Sequence, residues 1–265
     1  MKLSISNIAW DSNYDFEVYE LMRKYGFTGL EIAPTRFFAE KPYDHAIDAA
    51  NLANNLKSRY NFEVCSMQSI LFGRAERIFE SAENQRIITD YLFKAIDFAA
   101  AISCKNLVFG SPKNRCLINQ NDYESALRFF EILGEHAVKN GTVMSIEANP
   151  GIYGTNFINY TAEAVKIVRE VNSKGFRINL DFGTIIENGE NVDEITSFLE
   201  YINHIHISEP GLLPICRRDE HRRLASILKE NSYEGFISIE MKKGEDGYLQ
   251  DIERAMNYIS EVFGN

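Results

Sequence analysis

Cysteine is sparse in these 265 residues, and a strong positive charge is missing altogether. Cys65, Cys104, Cys116 and Cys216 are scattered, form no CxxC pair and outline no disulfide framework, which fits a reducing cytoplasm. Each reads as a small buried hydrophobe. Lysine and arginine total 28 against 38 acidic residues, a formal net charge of −10 that disfavours nucleic acid and anionic membrane surfaces as partners. No run approaches the roughly 20 apolar residues of a membrane span. The N-terminal Met1–Asn7 turns polar too early for a secretory signal. No low-complexity tract or linker interrupts the chain, so a single domain over residues 1–265 is expected, in the cytoplasm.

What is present is alternation. Strand-like runs occupy Leu3–Ala9, Gly29–Ala33, Glu63–Ser69, Asn106–Gly110, Val143–Glu147, Arg177–Asp181, His204–Ser208 and Phe236–Glu240. Several read as nearly continuous apolar stretches, as parallel strands covered on both faces do. Amphipathic helical patterns lie between them. Phe16, Tyr19 and Leu21–Met22 form a stripe ending before Gly26, and Arg86–Ala101, Asp122–Asn140, Ala162–Val171 and Tyr248–Val262 follow the same spacing. Thr161 is a suitable N-cap for the fourth of these patterns, and Gly141 and Gly175 lie just beyond helices. Strict β-then-α order calls for a parallel sheet with right-handed crossovers. Eight such units in this length fit a closed (β/α)8 barrel better than an open doubly wound sheet. No GxGxxG follows the first strand to support dinucleotide binding.

In a barrel, side chains at the carboxyl ends of the strands converge on the mouth. The last polar residues of strands five to eight are Glu147, Asp181, His206 and Glu240. One acid ending a strand is usually a cap or an ion-pair partner. Four ligand-type residues ending four consecutive strands are hard to obtain by accident. Three carboxylates gathered beside one imidazole repel one another unless a cation sits between them. Ligation by oxygen with a single nitrogen suits Mn²⁺, Mg²⁺ or Co²⁺, with Zn²⁺ left open.

The Glu147…Asp181…His206…Glu240 order resembles the xylose isomerase-like superfamily of TIM barrels over essentially the whole chain. That resemblance implies one divalent metal ion on these four residues. It also implies that Glu147 and Glu240 exchange a substrate proton as an acid/base pair. A carbonyl and a neighbouring hydroxyl held together lower the energy of an enediolate, and carboxylates on opposite faces can remove and return its proton. The implied function is a metal-dependent isomerase or epimerase of a sugar, sugar acid or sugar phosphate. A dehydratase on the same framework and a non-catalytic sugar-binding barrel are the alternatives. Barrels of this type are often homo-oligomers. Two positions depart from the ketose epimerases: Thr184 stands where they usually carry a histidine and Leu212 where they commonly carry an arginine. Both partners normally contact substrate oxygens, so free ketoses are not the expected substrates. The endonuclease branch draws a three-zinc cluster from several histidines. Only His45, His136, His204, His206 and His221 occur, and strands three and four end in Gln68 and Gly110–Ser111, so DNA repair is not expected.

Secondary candidates surround the mouth. Trp10 could stack on a sugar ring or pack over the rim. Gln68, Asn149 and Thr184 could meet hydroxyls, and Gln68 and Asn149 could instead satisfy loop backbone. In Gly110–Arg115, Lys113 and Arg115 could hold a substrate phosphate or carboxylate, or simply be solvated. Arg217, Arg218, Arg222 and Arg223 read as a charged helix start rather than a ligand site. His204, on the same side of its strand as His206, reads as a supporting residue, and Glu209 as one that orients His206 or meets substrate.

Overall fold

The computed structural model describes residues 1–244 and 248–264. Eight parallel strands close into a barrel in sequence order: β1 (Lys2–Ser6), β2 (Gly29–Ile32), β3 (Glu63–Met67), β4 (Leu107–Phe109), β5 (Met144–Glu147), β6 (Phe176–Asp181), β7 (Ile202–Ile207) and β8 (Phe236–Ile239). β1 pairs with both β2 and β8, which leaves no free edge. The helices are α1 (Asp15–Lys24), α2 (Ala46–Tyr60), α3 (Ala82–Ala101), α4 (Asp122–Lys139), α5 (Thr161–Val171), α6 (Phe182–Asn188), α7 (Asp219–Glu230) and α8 (Tyr248–Phe263). The closed (β/α)8 barrel is therefore the fold. Among the described residues, no helix is long and apolar enough to cross a membrane.

Each strand presents two chemically different faces. Outward residues such as Ile5, Leu30, Met67, Phe109, Ile146, Leu180, Ile205 and Ile237 are buried beneath the helices. The alternate residues Ser4, Ser6, Glu31, Ser66, Ser145, Asn179, His204, His206 and Ser238 are just as buried, yet polar. Several of them pair inside the barrel, where Asn106 Nδ2 donates to Ser66 Oγ at 2.9 Å and Ser145 Oγ donates to Asn106 Oδ1 at 2.5 Å, while Ser238 Oγ and Asn179 Oδ1 have no partner among the described residues. The interior is thus a polar stack rather than the layered aliphatic filling common in such barrels. Burial on both faces is as expected; the nearly continuous apolar character expected of several strands gives way to alternation of apolar and polar residues.

Local details correct several sequence expectations. The first strand stops at Ser6, and Asn7–Ala9 turn as a 3-10 helix. The N-cap of α5 is Tyr160, not Thr161, and Glu163 accepts from the backbone N–H groups of Asn159 and Tyr160. Cys65 and Cys104 are buried as expected, but Cys116 is half-buried and Cys216 exposed; all four are free thiols. Gly26 and Gly141 do follow their helices in the left-handed region. Gly175 instead serves close approach: a Cβ there would lie 2.0 Å from the Gly134 carbonyl oxygen, where β6 begins against α4. Gly175→Ala is expected to destabilise the fold by about 1–3 kcal/mol. A lowered urea midpoint at unchanged slope would show it, and an unaltered midpoint would exclude it.

Candidate active site

A cavity of about 460 Å³ opens at the carboxyl ends of the strands. Glu147, Asp181 and Glu240 lie on its wall together with Gln68, Asn149 and Lys113. Apolar groups including Phe72, Val108, Tyr153 and Leu212 complete it. Two register shifts in the sheet, at Leu30/Glu31 and Ile178/Asn179, fall on strands that feed this site. Such irregularities re-aim side chains beside active sites.

His206, fully buried, is the hub. Its Nδ1 lies 3.1 Å from Glu147 Oε2 and 3.2 Å from Glu240 Oε2, and its Nε2 lies 2.9 Å from Glu31 Oε2 across the barrel. Glu147 is gripped on both oxygens: Asn149 Nδ2 donates to Oε1 at 2.8 Å and Asn179 Nδ2 to Oε2 at 2.6 Å. Gly110 leaves the room, since a Cβ there would come within 3.1 Å of Glu147 Oε1. Asp181 accepts from the Ser208 hydroxyl on one oxygen and from Thr184 N on the other at 2.8 Å, with Thr184 Oγ1 at the same distance.

The charges are strained by one another. Burial, opposed by His206 and reinforced by Glu147 and Asp181, pushes the Glu240 carboxyl up to about 7. Burial and the neighbouring Glu147 push Asp181 up to about 6, against hydrogen bonds from Ser208 and Thr184. Burial alone would discharge His206, but Glu31 and Glu240 outweigh it and hold the imidazole well above its ordinary value. Burial likewise opposes the Glu31 charge, yet His206 and His204 keep that carboxyl well below its usual range. An imidazolium thus compensates the surrounding carboxylates, and in the metal-free protein Glu240 still holds part of its proton at neutrality while Asp181 gives up its own just below.

Glu147, His206 and Glu240 offer two oxygens and a nitrogen within 4.8 Å of one another, a group that could hold a metal ion. Asp181 lies outside that compact group but on the same cavity wall. The donor chemistry fits a divalent cation, which would replace the protons and the imidazolium charge. Glu31 supplies the orientation. An acceptor on Nε2 leaves Nδ1, once deprotonated, as a lone pair aimed at both glutamates. Glu31→Gln is expected to weaken Mn²⁺ affinity about 10- to 100-fold, as loss of such supporting partners does. Isothermal titration would read it; wild-type affinity in the variant would remove Glu31 from this role.

Among the other expected residues, Gln68 ends β3 and donates to Ser6 Oγ at 2.6 Å and to Glu31 Oε1 at 3.2 Å while facing the cavity. Trp10 is not on the cavity wall: it is buried, with Nε1 donating to Asp15 at 2.7 Å and Arg36 over its ring. It packs the rim rather than offering a face to a sugar. Thr184 is buried too, its hydroxyl 2.8 Å from both Asp181 Oδ2 and the Ala148 carbonyl and able to donate to either one. Glu209 neither orients His206 nor reaches the cavity; it accepts from Arg218 and from Cys216 N. Arg115 is fully buried, so only Lys113 of that loop is exposed. The basic cluster is spent on Glu261, Glu209 and Asp193. His204 Nε2 lies 3.2 Å from Glu31 Oε2 without hydrogen-bond alignment, and burial lowers its pKa. His45, His136 and His221 lie elsewhere, against Phe38, Asp97 and Tyr258. Sequence reasoning missed Glu31, Asn179 and Ser208, although Glu31 and Asn179 are polar residues between apolar neighbours and Ser208 follows His206 at the alternate position.

The family described as xylose isomerase-like TIM barrel matches residues 19–258. No curated protein sequence matches significantly. Among solved structures, the 3-keto-D-glucoside 4-epimerase of E. coli aligns over 98% of this chain and 99% of its own, with 17% identity and a TM-score of 0.79. The D-psicose 3-epimerase of Clostridium cellulolyticum H10 aligns over 100% of both chains, with 15% identity and a TM-score of 0.82. A family 2 AP endonuclease of Brucella melitensis aligns over 98% of both, with 19% identity and a TM-score of 0.75. At these identities the likeness is one of fold.

Proposed function

The chain belongs to the xylose isomerase-like TIM barrel family, and from that premise we propose that it is a metal-dependent sugar isomerase or epimerase. One observation carries this reading: two glutamates from different strands meet the same imidazole nitrogen, at 3.1 and 3.2 Å, on the wall of one cavity. The same order of ligand-type residues at strand ends marks sugar epimerases by resemblance. Their fold is shared by the epimerases of E. coli and Clostridium cellulolyticum.

Glu147, Asp181, His206 and Glu240 would hold one divalent ion, Mn²⁺, Mg²⁺ or Co²⁺ by their donor set. When bound it would supply positive charge to stabilise the oxyanion of an enediolate. The chain's own groups account for the proton. Glu147, with both oxygens engaged by amide donors, is fixed in place and serves as one of the exchanging carboxylates. Among the described residues Glu240 has no amide donor, so its carboxylate is the less restrained of the two and serves as the other exchanging group. Removal of a proton by one and its return by the other invert a carbon beside a carbonyl. Asn149 and Gln68, on the cavity wall, would orient substrate hydroxyls. The polar wall and exposed Lys113 support a sugar, sugar acid or sugar phosphate as substrate class. Leu212 on that wall, in place of an arginine, disfavours a free ketose.

Incubation of the Mn²⁺-loaded protein with a sugar panel in D₂O tests the reading. Deuterium at a hydroxyl-bearing carbon, with the epimer or isomer as product, is expected. Loss of water would make the protein a dehydratase, and no exchange on any member would contradict the proposal.

A further inference from the structure

Behind Glu147 stands a buried cation. Arg115 follows the 3-10 turn Pro112–Asn114 beyond β4 and is 0% exposed. Among the described residues no carboxylate forms an ion pair with it. Its guanidinium donates to Asn149 Oδ1 at 2.7 Å and to the carbonyls of Phe109 and Ile158 at 3.5 Å, while Nε has no partner. Burial lowers its pKa to about 10, and the charge on Glu147 opposes that fall. An enclosed guanidinium without a direct counter-ion is costly, and its nearest recourse is Glu147, one amide away.

The hydrogen-bond roles along this line run in one direction. Arginine can only donate, so the face of Asn149 turned to it must be the acceptor Oδ1. The Nδ2 of the same amide is then committed to Glu147 Oε1, 2.8 Å away. Resting on the reading of Glu147 as an acid/base group, we propose that Arg115 is a positioning residue: it locks the Asn149 amide, and through it holds the Glu147 carboxylate in the orientation that proton transfer requires. Without Arg115 the amide is free to turn its oxygen toward the carboxylate, which repels it. Arg115 does not touch substrate, because Asn149 separates it from the cavity.

The test compares Arg115→Met, Arg115→Lys, Asn149→Ala and the Met/Ala double variant, each checked for folding by circular dichroism. Deuterium exchange gives kcat and KM, titration gives Mn²⁺ affinity, and crystallography shows the Glu147 rotamer. Arg115→Met should lower kcat about 10- to 100-fold with KM little changed, and Asn149→Ala should lower kcat as far while also raising KM, because Asn149 itself lines the cavity. The double variant should lose no more than the worse single one, because both act on one line. Arg115→Lys, which keeps a charged donor, should recover part of the rate. In the Arg115→Met crystal structure Glu147 should leave its place beside Asn149. Unchanged kcat in folded Asn149→Ala, additive losses, or an unmoved Glu147 in Arg115→Met would overturn the proposal. Should Arg115→Met not fold, Arg115→Gln, which keeps a donor without the charge, takes its place in every comparison. A wild-type protein that exchanges no proton on any sugar would instead defeat the functional reading, while the position of Glu147 would still report on the lock.

Discussion

Glu240→Gln and Glu147→Gln are each expected to lower kcat for deuterium exchange roughly 10²- to 10⁴-fold, the range associated with a lost general acid or base. The two should differ in stability. A glutamine at 147 would turn an NH₂ toward the amide donor of either Asn149 or Asn179, leaving a buried donor facing a donor. That costs about 1–3 kcal/mol. A glutamine at 240 meets no amide donor among the described residues and removes a carboxyl that burial already pushes up to about 7, so the metal-free protein should be no less stable. Steady-state exchange and urea unfolding together read this pattern. Retention of wild-type kcat by either variant would remove that glutamate from the proton transfer.

The second large effect concerns the ion and pH. Glu240 and Asp181 sit at about 7 and about 6 in the folded chain, against ordinary values of 4.5 and 3.8. Over that interval the metal-free folded protein holds protons that the unfolded chain has released, so its stability falls as pH rises. His206 adds the same sign: its raised pKa gives stability that is lost as pH climbs past that raised value. Glu31, lowered instead, contributes stability above its ordinary value of 4.5 and loses it only in acid. A divalent ion competes with the protons on Glu240, Asp181 and His206, so its affinity rises with pH. At an ion concentration of 100 Kd the gain is about 2.7 kcal/mol. For a domain of this size that raises Tm by roughly 5–10 °C. Melting curves with Mn²⁺ and with chelator should therefore separate more at about pH 8 than at about pH 5.5. Equal separation at both, or none, would contradict the arrangement of charges.

Much of this was legible in the sequence, for identifiable reasons. The strands were visible because their outer faces are apolar, as in Leu180 and Ile205. α2 escaped notice because only Ala49 and Leu56 are fully buried along it, too thin a stripe to stand out among asparagines. Glu147, Asp181, His206 and Glu240 were found because they end strands. Asn179 and Ser208 sit on the same faces one alternation away, and Glu31 lies mid-strand on β2, away from the four consecutive strand ends that carry the pattern. Leu30-Glu31-Ile32 and Ile178-Asn179-Leu180 carried the signal. The register shifts beside Glu31 and Asn179 have no signature in a single sequence. For Trp10 the sequence leaves stacking on a sugar and packing over the rim undecided, because the 3-10 turn after β1 and the reach of Arg36, which select packing, are tertiary facts. Arg115 resembled any solvated loop cation; only burial against Asn149 sets it apart.

The most direct measurement is of bound metal. Chelated protein should be re-equilibrated with Mn²⁺, dialysed at about pH 8, and analysed for its metal content. The account predicts one ion per wild-type chain and less than about one-tenth of that in the Glu147→Gln/Glu240→Gln double variant under the same conditions. A wild-type chain that takes up no ion, or a double variant that keeps its full share, would contradict it.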